Sequence, residues 1–206
     1  MSGQRLSLKQ FIHWVLLIAA VGFVYGFIAW YCLFVAFQST NASPLWPPSA
    51  IGLSAVLFFG YRIWPAIALG AFTANLLMFQ ANIPGVGLPI VITSVLISAG
   101  NALEAVTGAY LLKKFVGERN PFYRTMDVYK FTGIALVISL ISSVIGSVTI
   151  TAAGLVPNEL VLDAWFTWWM GDAMAILTIA PFILLGYKRY KSQPQMIVRK
   201  VSFWLE

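Results

Sequence analysis

The sequence predicts an all-α integral membrane protein: a compact bundle of about six transmembrane helices with both termini in the cytoplasm. Three observations predict it. Of the 206 residues, 60% are hydrophobic and 10% charged, whereas an ordinary soluble domain is about a quarter charged. The apolar residues gather in runs at 11–37, 45–61, 63–80, 88–112, 128–153 and 164–187, and about 20 apolar residues are what a ~30 Å hydrocarbon layer demands. All 13 Lys and Arg residues fall on alternate connections, which the positive-inside rule assigns to the cytoplasm.

Arg5 and Lys9 precede the first run. That run is too long for a signal-peptide core and lacks an Ala-x-Ala cleavage site, so it stays as a helix. Its Gly22 and Gly26 form a Gly-x-x-x-Gly pair that admits another helix closely. Intramolecular packing is the expected use, with a homodimer left open. Cys32, the single cysteine, is a packing residue and excludes an internal disulfide or a cysteine metal cluster. His13, the single histidine, reads as a snorkelling or packed side chain rather than a ligand to metal or haem.

The stretch from Ala42 to Ala50 is an expected outer turn. Its Pro47 and Pro48 suit the first turn of a helix, where a missing N–H is no loss. Trp46 beside them is an expected interfacial anchor. The second run is short, with Arg62 at its inner end and Pro65 just beyond. A re-entrant loop would spoil the charge alternation, so a full crossing is expected. Ala66, Gly70 and Ala74 give the third run a small-residue seam, and Ser139, Ser142, Ser143, Gly146 and Ser147 do the same for the fifth. The cytoplasmic loop of any size carries Lys113, Lys114, Arg119, Arg124 and Lys130. Lys188, Arg189, Lys191, Arg199 and Lys200 follow the last run. Residues 1–191 thus form one six-helix domain. Residues 192–206 are an expected cytoplasmic tail leading towards a further span or an output domain. The net charge of +6 is explained by these loops facing anionic membrane lipids, not by nucleic acid.

Polar side chains inside a bilayer are costly and need a reason. Asn75, Asn101, Glu104 and Asp172 stand out. Counted at ~1.5 Å per residue from the basic residue closing each span, Glu104 lies ~13 Å from the inner face. On the same count Asn75 and Asn101 lie ~18–20 Å from it, and Asp172 ~24 Å. Asn101 and Glu104 share a helix face, so the four are expected to form a polar ladder. Trp165, Trp168, Trp169 and Asp172 follow the i, i+3, i+4, i+7 spacing of one face. That spacing fits an aromatic wall beside a buried carboxylate, a small-molecule site. It equally fits an interfacial belt with one structural acid. Asp172 also leaves proton sensing or coupling open. The ~11 Å difference in depth between Glu104 and Asp172 argues against a catalytic carboxyl pair. No Cys/His set, phosphate loop or nucleophile elbow occurs. No catalytic residue, metal site or cofactor is expected, and the chain reads as a non-enzyme.

Several segments in order carry a resemblance. Pro44-Leu-Trp-Pro-Pro-Ser-Ala-Ile-Gly-Leu53, Phe59-Gly-Tyr-Arg-Ile-Trp-Pro65, Gly70-Ala-Phe-Thr-Ala-Asn75, Gly100-Asn-Ala-Leu-Glu104 and Trp168-Trp-Met-Gly-Asp172, with Pro181 beyond, resemble the bacterial membrane-associated sensor domain family, the first MASE class. The resemblance implies an inner-membrane, multi-pass input module for signal transduction. Such modules are fused to a histidine kinase of a two-component system, a diguanylate cyclase or a related cytoplasmic output. It marks Trp46, Pro47, Asn75, Asn101, Glu104, Trp169, Gly171 and Asp172 as characteristic positions. With Trp165 and Trp168 from the helix-face reading, and without Gly171, these form the expected site for a small-molecule or lipid ligand. An output domain or partner protein would receive the signal. The alternative is a substrate-binding membrane subunit of a vitamin-type transporter, which has a similar size and layout. The Ala-x-x-x-Ala docking pair typical of those subunits is absent from the first run. A purely structural anchor is a third reading, against which the buried acids argue.

Overall fold

The computed structural model describes residues 7–34, 36, 43–82, 87–117 and 121–192. Arg5, Arg119 and the tail beyond Ser192 lie outside them. The described chain forms seven α-helices and no strand. They are α1 (Leu8–Phe34), α2 (Pro47–Phe59), α3 (Trp64–Asn82), α4 (Leu88–Phe115), α5 (Thr125–Ala152), α6 (Val161–Thr178) and α7 (Ala180–Ser192). Short 3-10 turns at Tyr61–Ile63 and Asn158–Leu160 lead into α3 and α6. Among the described residues, five units are long and apolar enough to cross a membrane: Leu8–Phe34, Tyr61–Asn82, Leu88–Phe115, Thr125–Ala152 and Asn158–Tyr187.

The helix ends follow local chemistry. Gly60, at φ 85°, turns the chain out of α2, a left-handed conformation that glycine adopts without a Cβ clash. The last unit is divided between α6 and α7 because Pro181 has no N–H to continue the helical ladder. Basic side chains collect at one end of the bundle. There Lys113 Nζ sits 5.0 Å from the Tyr61 ring centre, and Lys130 Nζ donates to Phe115 O at 3.0 Å.

α1 and α3 pack backbone to backbone. A Cβ on Gly70 would lie 2.6 Å from Gly22 O and 3.0 Å from Gly26 N. The small residues therefore serve contact within the chain, and the Gly22/Gly26 pair is spent on α3. Ala66 and Ala74 are buried along the same seam.

The second expected span differs most from its reading. α2 has 13 residues, about 20 Å of helix, too short for the ~30 Å layer. It is the central helix, buried from Pro48 to Ser49–Ala50 and from Gly52 to Val56, and is packed among α1, α4, α6 and α7. A helix apolar on all sides belongs in a core, whereas the run 45–61 has the same composition as a lipid-facing span. Nor is its start at the interface. Trp46 N donates to Gly171 O at 3.0 Å, near the middle of the Asn158–Tyr187 unit. The non-helical segment Ser43–Trp46 thus enters the bundle, where irregular backbone is tolerated because protein surrounds it. Trp46 is accordingly a half-buried interior residue and not an interfacial anchor.

Candidate functional site

Asp172 is the centre of a polar cluster drawn from four helices. Ser49, in the first turn of α2, donates its hydroxyl to Asp172 Oδ1 at 2.7 Å. Ser142 of α5 donates to Oδ2. The N-terminus of α2 faces the carboxylate, so the positive end of the helix dipole adds to these bonds. The proline pair has a local reason here. A helix start leaves four N–H groups unpaired. Pro47 and Pro48 remove two of them, and Ser49 N–H reaches Trp46 O at 3.1 Å.

Glu104 of α4 lies against Ser49, Ser142 and Asp172. Both hydroxyls are already given to Asp172, and neither Glu104 carboxyl oxygen has a hydrogen-bond partner. The two acids are 2% and 4% exposed. This corrects the ~11 Å separation in depth read from residue counts. That count assumed straight helices normal to the membrane, and α6–α7 is interrupted at Ile179.

A cavity at Asp172 is lined by Leu33, Ser43, Trp46, Asn75, Ile97, Asn101, Ser142, Trp168 and Asp172. Its volume is about 30 Å³. The Tyr25 hydroxyl donates to Asn101 Oδ1 at 3.2 Å. Asn101 and Asn75 each donate Nδ2 to a carbonyl of their own helix, Ile97 O and Ala71 O, both at 2.9 Å. Trp168 presses its six-membered ring edge onto Gly146, where a Cβ would occupy the ring's place. Its Nε1, on the opposite edge, is buried without a partner.

Of the expected residues, Trp46, Asn75, Asn101, Trp168 and Asp172 line the cavity, and Glu104 lies beside Asp172. Pro47 shapes the start of α2 without lining it. The aromatic wall is divided. Trp165 and Trp169 stack on each other at 6.4 Å, and Trp169 Nε1 donates to Leu136 O at 2.9 Å, on the exposed side of α5. At roughly 100° per residue, Trp168 and Asp172 form one stripe of α6 and Trp165 and Trp169 the next. Tyr25, Ser43 and Ser49 are additions that sequence reading passed over. The signal available for Tyr25 was a hydroxyl in an apolar span, which needs a partner when buried. Among the described residues no group of three or more His, Cys, Asp or Glu could hold a metal ion.

The MASE1 family model matches residues 15–201, a region that includes every segment of the resemblance and leaves no room within the 206 residues for a catalytic output domain. The chain is 28% identical over 182 residues to the probable diguanylate cyclase DgcE of Escherichia coli (strain K12), covering 86% of this chain. The chain spans 15% of the length of that curated relative. No solved structure matches.

Proposed function

This chain belongs to the MASE1 family of membrane sensory input domains, and on that premise we propose that it reads a ligand at the Asp172 cluster and passes the change to a cytoplasmic output. The observation carrying the proposal is the cavity bounded by Asp172, Asn75 and Asn101 inside the bundle, with two buried acids beside it that helix packing does not require. The output would be a diguanylate cyclase, by likeness to DgcE, or a kinase, fused to the chain or contributed by a partner.

In this reading the bundle crosses six times with both ends cytoplasmic. The second crossing consists of an irregular outer half, including Ser43–Trp46, followed by α2. The gathering of Lys113, Lys130 and Tyr61 at one end supports the orientation. A ligand in the cavity touches both the N-terminus of α2 and α6. The break before Pro181 lets α7 move relative to α6. Only a ligand with different affinities for two such arrangements shifts their balance.

Native mass spectrometry of the purified chain tests this, for wild type and Asp172→Asn. The expected result is a stoichiometric small molecule on wild type that the variant loses. A bare wild-type chain, or lipid adducts alike in both, would contradict the proposal.

A further inference from the structure

The cavity has a chemical sign, and the geometry points to a small organic cation, a primary ammonium, as the ligand it takes. The inference rests on the ligand-site reading above and adds the class of ligand. Charge comes first. Among the described residues the one ion pair joins Lys130 to Asp127, at the basic end, and no protein cation pairs with Asp172 or Glu104. A buried carboxylate needs a counter-charge and hydrogen bonds to remain ionised. The Ser hydroxyls and the α2 N-terminus supply the bonds, and the cavity face of Asp172 is where the counter-charge fits.

The hydrogen-bond inventory agrees. Asn75 and Asn101 each commit one of their two Nδ2 hydrogens to a carbonyl of their own helix, and each retains an amide oxygen as an acceptor. Asn101 Oδ1 receives the Tyr25 hydroxyl and keeps a second lone pair. With Asp172, these form a set of acceptors, and an ammonium is all donors. Trp46 and Trp168 supply aromatic walls, whose ring faces attract cations. The buried Trp168 Nε1, without a partner, suits a hydroxyl or ether oxygen carried next to the ammonium. The small volume of the cavity suits a compact ligand better than a drug-sized one. An anion would meet an ionised Asp172 with like charge, and beside a neutral molecule the carboxyl would have to take up a proton instead.

The test uses the full chain in phosphatidylglycerol nanodiscs, with binding followed calorimetrically. The probe is 2-hydroxyethylammonium, and ethylene glycol and glycolate are neutral and anionic comparators of similar size. Saturable binding of the ammonium alone is expected, weakened on the order of 30-fold or more in Asp172→Asn and unchanged in Asp163→Asn, an exposed acid in the first turn of α6. If Asp172→Asn does not fold, the charge selectivity of wild type decides. Adding phosphatidylethanolamine separates two sources: competition identifies the lipid headgroup, and its absence a soluble amine. Wild type that binds no ammonium, binds ethylene glycol equally well, or binds the ammonium undiminished in Asp172→Asn overturns the inference. Glycol or glycolate binding that depends on Asp172 would overturn the cation alone and leave the ligand-site reading in place.

Discussion

The α1–α3 seam and the α2–α4–α5–α6 cluster solve the same packing problem in opposite ways. At the seam, Gly22, Gly26, Ala66 and Gly70 remove side chains until backbones touch, and van der Waals contact holds the helices. In the cluster, Ser49, Ser142, Glu104 and Asp172 meet through polar groups that are expensive to bury. The seam demonstrates that this bundle packs helices without any carboxyl group. Two carboxyls in the cluster therefore need an explanation beyond cohesion.

Substitutions sharpen the contrast. Gly70→Leu carries the largest expected effect, because its side chain meets the α1 backbone and not a flexible side chain. A loss of about 3 kcal/mol or more is expected in thermal unfolding, with ligand binding reduced only as far as folded protein is lost. Asp172→Ala comes next. It leaves the Ser49 and Ser142 hydroxyls buried without their acceptor, at a cost of about 2 kcal/mol, and abolishes binding in protein that is still folded. A variant that kept binding would move the site elsewhere. Tyr25→Phe is the mildest. Removing the bond to Asn101 is worth about 1 kcal/mol, and a change below the error of a melting curve would place that hydroxyl outside the cluster's energetics.

The long crossings were legible because apolar runs bounded by basic residues leave few alternatives in lipid. The seam was legible too, since glycine and alanine four apart have little other use in a membrane helix. α2 was not. An apolar helix buried in protein and one facing lipid read alike, and what distinguishes them is length and the contact of Trp46 with Gly171. Asp172 and Asn101 stood out as costly residues, and both line the cavity. The meeting of Glu104 with Asp172 was hidden, because the break at Ile179 and the packing of four helices are tertiary facts. The split of the Trp wall was hidden for a smaller reason. Four residues within a ~100° face still divide into two stripes once neighbouring helices take one of them.

The most direct test of the account is a double-mutant cycle in thermal stability, with Glu104→Gln, Asp172→Asn and the pair. If the two carboxyls share one buried cluster, the effects are non-additive by about 1 kcal/mol or more. Effects that add within about 0.3–0.5 kcal/mol would mean that the acids do not meet, and the cluster as described here would be wrong.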